Sequence, residues 1–346
     1  MRATKGGVSA GAVGMGFAGR SESTPSPACE RRRAAHRAAL DHVLALVAAA
    51  PCGDRLVLRG SMTMLAWAGE RAREPGDLDW VVRPVAWVPV DPAFPFPYVD
   101  KLDRVRTWPE AAHGAAGDEM WDSDDFDTGG IRAVLPPEGL RWMPPLDRME
   151  LDRPHEDVLE LVHRQPQAEG GVRFDADRAE IDHGWTYAYD GEEDGAGGTR
   201  LLLPWRVDET VHGLLQLDFS YDERLPEPPV LTAIPRSAGG PPTAVWTAGP
   251  ELSLAWKLHW LHHDQAADGT SAGKDLYDAV LLAERAGARL TGRLRRELSR
   301  RVSDPDAYHP DRVRSWRIDW PGDLGGQSAG PWLERLVAAL PTVLGP

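Results

Sequence analysis

Gly60-Ser61 and Asp77-x-Asp79 have the residue types and spacing to bind a phosphorylated ligand together with a metal ion. Side chains two residues apart on a strand point to the same face, so Asp77 and Asp79 would present their carboxylates together. Two converging carboxylates repel each other unless a cation lies between them, and a hard ion such as Mg²⁺ prefers oxygen ligands. Gly60 and Ser61 at the start of a helix would offer phosphate close backbone approach, N–H groups and the positive end of the helix dipole.

A third carboxylate, Asp218, lies in the alternating segment HGLLQLDFSY. Its neighbours Leu217 and Phe219 would face the opposite side of a strand, which leaves Asp218 to complete the metal site or to take a proton from an attacking hydroxyl. Each motif alone has a plainer explanation, such as a solvated acid or a simple helix cap. Their order along the chain favours a catalytic site.

The elements that must position these residues follow from hydrophobic periodicity. A helix is predicted over residues 29–50, a strand over 55–59, a helix over 62–67 with Ser61 as its N-cap, and a strand over 77–82. Further strands are predicted within 171–190 and over 200–207, 212–221 and 243–247, with a proline-rich connection at 225–242. Helices are predicted over 251–263, 273–286, 290–302 and 331–340.

These elements predict an α/β fold with a mixed sheet, followed by a C-terminal helical region. We expect three parts in the chain: a disordered tail over residues 1–28, a core over 29–250 that carries an irregular insertion at about 84–150, and a helical domain over 251–346.

Composition limits the function. The net charge of −14 disfavours indiscriminate binding to nucleic acid, although residues 284–317 hold ten arginines against five acids. Only Cys29 and Cys52 are present, which argues against a disulfide framework. No apolar run is long enough to cross a membrane, and the N-terminus lacks the pattern of a secretory signal. We therefore expect a cytoplasmic protein.

The stretch LVLRGSMTMLAWAGERAREPGDLDWVV resembles the signature of the DNA polymerase β-like nucleotidyltransferase superfamily, in particular its AbiEii/AbiGii toxin family, which includes the MenT toxins. The segment ELSLAWKLHWL resembles the lysine-bearing helix of that family. A third segment, GKDLYDAVL, resembles its helix with a basic residue followed by Asp-x-x-Asp. The resemblance implies a polymerase β-like core.

The resemblance also implies site residues. Lys257 and Asp275 would line the active site, with Lys274 and Asp278 near the nucleotide, and Arg73 would contact phosphate. A lysine there would neutralise the charge that moves toward the leaving pyrophosphate. The chain departs from the family pattern at Trp256, where an acid is common, and at Pro75, where many members carry a serine, but neither position holds a metal carboxylate.

The resulting hypothesis is a metal-dependent nucleotidyltransferase that moves NMP from an NTP to an acceptor hydroxyl with Mg²⁺. The family resemblance implies that the acceptor is tRNA and that the chain is a toxin with a cognate antitoxin protein. Two alternatives remain at this stage: a small-molecule nucleotidyltransferase of the aminoglycoside-modifying kind, which would use the same motifs, and a non-catalytic NTP-binding interaction protein.

Overall fold

The computed structural model describes residues 26–83, 153–183, 198–221, 223, 225–302, 304, 306–322, 324 and 328–345. The insertion predicted at 84–150 lies outside these residues. The predicted tail also lies outside them, except for residues 26–28.

The first described elements carry the Gly-Ser and Asp-x-Asp motifs. Helix α1 (Pro27–Ala49) is followed by strand β1 (Leu56–Arg59), helix α2 (Ser61–Ala68) and strand β2 (Asp77–Val82). The side chain of Ser26 caps α1, which ends before Pro51 as predicted. Strand β2 has the predicted bounds.

The remaining elements complete a sheet and then a group of helices. The strands are β3 (Arg173–Phe174), β4 (Glu180–Asp182), β5 (Gly198–Arg206), β6 (His212–Ser220), β7 (Val230–Ile234), β8 (Thr243–Thr247), β9 (Ser271–Ala272) and β10 (Ile318–Asp319). The helices are α3 (Pro154–Arg164), α4 (Pro250–Ala267), α5 (Gly273–Ala283), α6 (Gly292–Arg301), α7 (Pro310–Arg314) and α8 (Gly330–Leu344).

Eight strands form one mixed sheet in the order β3-β5-β6-β2-β1-β8-β7, with β4 also pairing with β5. Strand β2 is central: it runs parallel to β6 and antiparallel to β1. Strand β1 in turn runs parallel to β8. The sheet is therefore mixed, as predicted, and the strand that bears the two aspartates lies between β1, which leads into Gly-Ser, and the strand that bears Asp218.

The two faces of the sheet bury different cores. One face, with Leu58, Leu78 and Trp80, packs in a cluster with apolar residues of α1 and α3. On the opposite face Val57 and Val81 share a second cluster with the C-terminal helices. Alternation puts Asp77 and Asp79 on this second face, beside the region that those helices cover.

The structure corrects several local predictions. The N-cap of α2 is Gly60, and Ser61 is the first helical residue. The proline-rich connection at 225–242 contains edge strand β7. Within 171–190 the described strands are only two short segments, and helices α3 and α7 were not predicted. In the described part of the chain, no helix is long and apolar enough to span a membrane.

Candidate functional site

The turn between β1 and α2 brings the backbone of Gly60 against Asp79. Gly60 has φ +78° and ψ −154°, a conformation that is essentially restricted to glycine. A Cβ atom at this position would lie 2.4 Å from Oδ2 of Asp79. Glycine is therefore required twice here, by its backbone conformation and by the close approach of a carboxylate.

The next residue fixes the other aspartate. Ser61 is buried, and its hydroxyl donates a hydrogen bond of 3.2 Å to Oδ1 of Asp77. The Gly-Ser pair and the Asp-x-Asp pair, which are separated by fifteen residues, thus meet side by side. The order of the motifs along the chain suggested this juxtaposition.

Strand register places Asp218 beside Asp79. The two residues are direct partners in the parallel pairing of β2 with β6, as are Asp77 and Gln216. Register partners point to the same face of a sheet. All three predicted metal carboxylates therefore lie on one face, although a single close cluster of three metal-binding side chains is not found within the described ranges.

Arg200, which sequence analysis missed, holds Asp218. Its Nε donates to Oδ1 at 2.7 Å and its Nη2 to Oδ2 at 2.9 Å, the bidentate geometry that guanidinium and carboxylate favour. Gln216 donates a third hydrogen bond of 2.8 Å to Oδ2. Arg200 lies opposite Asp218 in the β5–β6 pairing, so only a correct strand pairing could have revealed it.

The donor set fits a hard divalent cation such as Mg²⁺. Mg²⁺ is usually bound through one or two carboxylates, with waters and substrate phosphates in its other positions. Asp77 and Asp79 supply two carboxylates on one strand face, and Gly60 leaves room beside them that a Cβ atom would fill. Oδ1 of Asp218 accepts one hydrogen bond and Oδ2 accepts two, so an ion bound by Asp218 would share Oδ1 with Arg200.

The two helices that resemble family motifs bring their charged residues together. Nζ of Lys257 on α4 donates to Oδ1 of Asp275 on α5 at 2.6 Å and lies 3.5 Å from Oδ2 of Asp278. Arg73, in the loop before β2, donates from Nε to both oxygens of Asp278 at 3.2 Å. Lys274 is exposed and precedes Asp275 on the same helix.

Burial and opposite charge compete in this network, and charge prevails. Burial alone would lower the pKa of Lys257, but Asp275 and Asp278 raise it. Burial would raise the pKa of Asp275, but Lys257 lowers it. The pKa of Arg73 is raised despite burial by Asp278, Asp275 and Asp77. Lys257, Asp275 and Arg73 therefore keep their charges at neutral pH, and the carboxylate of Asp77 contributes to the raised pKa of Arg73.

Trp256, the first departure from the family pattern, has a packing role. It is buried and stacks on Trp260 with ring centroids 6.4 Å apart. The guanidinium of Arg59 lies 5.4 Å from the Trp256 centroid, and its Nη1 donates to Oε2 of Glu223 at 2.9 Å. An apolar ring at this position thus covers a buried ion pair at the end of β1. Pro75, the second departure, is buried in the loop before β2.

Similarity to known proteins is found among solved structures and among family models. A search of curated protein sequences gives no match. Among solved structures the chain resembles MenT4, the nucleotidyltransferase toxin Rv2826c of Mycobacterium tuberculosis H37Rv, with 16% identity, 89% of this chain and 82% of that chain covered, and a TM-score of 0.46.

The family model described as nucleotidyl transferase AbiEii toxin, type IV toxin–antitoxin system, matches residues 43–325. This range includes the Gly-Ser turn, the sheet and most of the C-terminal helices. It confirms the family that the sequence motifs indicated, and the mixed sheet with its C-terminal helices confirms the predicted α/β fold class. The chain belongs to the AbiEii family of nucleotidyltransferase toxins.

Proposed function

We propose that this nucleotidyltransferase uses Mg²⁺ bound by Asp77 and Asp79 to transfer NMP from an NTP to a hydroxyl of tRNA, in the cytoplasm, as a toxin controlled by a cognate antitoxin protein. The observation that carries the proposal is the contact between the Gly-Ser turn and the Asp-x-Asp strand. It joins a place for phosphate to a place for its metal ion.

The reaction forms a bond between the acceptor hydroxyl oxygen and the α-phosphorus of the NTP. The bond from the α-phosphorus to the oxygen that bridges to the β-phosphate breaks, and pyrophosphate leaves with that electron pair. A bound Mg²⁺ supplies positive charge to the phosphate oxygens. In this proposal Gly60 and Ser61 position the triphosphate through the N-terminal turn of α2.

The charged network next to the strand would position the nucleotide. Lys257 and Arg73 are the cations that can compensate charge on the leaving pyrophosphate, and Asp275 and Asp278 hold them in place. Lys274 lies close enough to the network to contribute to nucleotide binding. Because Lys257 is buried and already paired, we expect it to reach phosphate only through a rearrangement of this network.

Asp218 is the candidate to complete the metal site or to accept the proton of the hydroxyl. Both of its oxygens accept hydrogen bonds in the structure. Oδ1 accepts only one of them and keeps a lone pair for an ion or a proton, while Arg200 keeps the carboxylate aligned beside Asp79.

The test is transfer of label from each α-³²P-NTP to total tRNA by the purified chain with Mg²⁺. Asp79→Asn should abolish labelling, because it removes a metal ligand while preserving volume. Asp311→Asn is the matched control, since Asp311 is exposed on α7, and it should label tRNA like the wild type. Absence of label in tRNA with all four NTPs would contradict the tRNA assignment.

The same assay separates the alternative acceptor. If tRNA stays unlabelled while an aminoglycoside is adenylylated in an Asp79-dependent manner, the site is that of a small-molecule nucleotidyltransferase.

A further inference from the structure

Several arginines of the arginine-rich segment near the C-terminus are neutralised by ion pairs. Arg301 binds Glu223 and Glu297. Arg312 pairs with Asp304, and Arg314 pairs with Glu334 and Asp311. The surplus of arginine in this segment is therefore smaller in the fold than in the sequence.

A different set of basic residues lies at one end of the sheet. Arg173, Arg206 and His212 stand side by side on β3, β5 and β6, because Arg206 is the register partner of both other residues. All three are exposed. Among the residues that the structure describes, none forms an ion pair with any of them. We call these three residues the basic row.

The basic row lies on the same face as the candidate transfer site. His212 and Asp218 are six residues apart on β6, and Arg206 and Arg200 are six residues apart on β5. Side chains an even number of residues apart on a strand point to the same face, so each pair shares one face of the sheet. Six residues of strand separate His212 from Asp218, a distance of roughly 20 Å at about 3.3 Å per residue. An elongated ligand could lie along this face from the basic row to Asp79.

The surface between the basic row and the site is open and partly apolar. Leu214 is 55% exposed and faces Pro204 across the β5–β6 pair. A groove of about 930 Å³ at this end of the hairpin is lined by Arg206, His212 and Leu214 among other residues. Its other charged lining residues are Arg32, Arg178, Asp175 and Glu180.

We propose that the basic row binds the phosphate backbone of the acceptor RNA and directs its end along the sheet face toward Asp79. This inference rests on the proposed function in taking RNA as the acceptor. Exposed arginines that no described acid neutralises, in a chain of net charge −14, are suited to binding an anion. Their distance from the Gly-Ser turn is too large for one triphosphate to reach both, which favours a long polyanion.

The experiment compares wild type with the double variant Arg173→Gln/Arg206→Gln. Dissociation constants for fluorescently labelled total tRNA are measured between about 50 and 300 mM salt. We expect the affinity at about 0.1 M salt to fall at least tenfold, and the slope of log K against log salt to decrease by about 2, because each arginine would neutralise one phosphate. The KM for NTP should stay unchanged, because neither side chain is near the nucleotide site.

Two further variants serve as controls. Arg314→Gln removes an arginine that is already paired on α7, and it should bind tRNA like the wild type. Arg293→Gln/Arg296→Gln tests the C-terminal arginine-rich segment as the rival surface. The proposal is overturned if the basic-row variant binds tRNA like the wild type, or if the loss of affinity occurs only in the rival variant.

Binding and transfer are separate measurements, so the two proposals fail separately. If tRNA binding depends on the basic row but no NTP labels tRNA, the basic row binds RNA, but the proposed function fails and with it the assignment of that RNA as the acceptor. If tRNA is labelled but its binding and KM do not depend on the basic row, the proposed function stands and the basic-row proposal fails.

Discussion

Replacing Gly60 by alanine should cost both stability and activity, by two mechanisms that the chain allows us to separate. A residue with a side chain at φ +78° and ψ −154° carries a strain of about 1–3 kcal/mol. The new Cβ would also lie 2.4 Å from Oδ2 of Asp79, whereas ordinary contact begins at 3.4 Å. The carboxylate must therefore move by 1.0 Å, the difference between the two values. A misplacement of that size costs about 100-fold in rate.

Two other glycines provide matched controls. Gly69 at the opposite end of α2 has φ +57°, but a Cβ there would meet no atom within 4 Å, so Gly69→Ala carries the strain alone. Gly76 precedes β2 and has neither a positive φ nor a neighbour within 4 Å. We expect Gly69→Ala to lose stability and keep its rate, and Gly76→Ala to keep both.

Urea denaturation measures the stability of each variant, and transfer from α-³²P-NTP measures its rate. The reasoning would be refuted by a folded Gly60→Ala variant that transfers within about threefold of the wild-type rate. It would be refuted equally by a Gly69→Ala variant that loses as much rate as Gly60→Ala, because strain alone would then explain the loss.

Three further predictions address buried charges. Glu223→Gln leaves the buried Arg59 and the half-buried Arg301 without their shared carboxylate and should lower the unfolding free energy, measured in urea, by about 3–5 kcal/mol. The exposed Glu334→Gln should cost under about 1 kcal/mol. Burial lowers the pKa of His155 from 6.5 to about 4. The unfolded chain therefore takes up a proton at this residue before the folded protein does, and the stability falls as the pH drops from about 6.5 toward 4. His155→Leu should flatten this part of a stability–pH profile. Arg200→Leu should lower kcat at least tenfold with little change in KM for NTP, because Arg200 holds Asp218. Arg200→Lys should restore part of the loss. A kcat of Arg200→Leu like that of the wild type would exclude a positioning role.

Strong alternation and clear boundaries made some elements predictable. Strand β2 and strand β8 have the predicted bounds because each is a short apolar segment between turn residues. Strand β7 was missed because prolines on both sides of it suggest a connection. It lies at the edge of the sheet, where nearby prolines interrupt no hydrogen-bond ladder. Local sequence carries no signal that distinguishes such an edge strand from a loop.

The candidate site was predictable to the extent that spacing within one segment determines it. The two-residue spacing on β2 is enough to predict that Asp77 and Asp79 share a face. Their approach to Gly60 and Ser61 also depends on the antiparallel pairing of β1 with β2, which the order of the motifs and the family resemblance suggested. Arg200 was not predictable, because its contact with Asp218 depends on the antiparallel register of β5 with β6. A carboxylate on a strand and an arginine on the preceding strand become partners only once that register is known.

The contacts argue that the core and the C-terminal helices act together in the site. Arg73 belongs to the segment between α2 and β2, but its partner Asp278 and the lysine that shares this partner lie on helices α5 and α4. Val57 and Val81 of the sheet bury their side chains in the same cluster as those helices. Without the helices Arg73 would lose the carboxylate that holds it next to Asp77, and the sheet would expose apolar surface. The sequence suggests a division of the chain at about residue 250. The site nevertheless needs residues from both sides of that division.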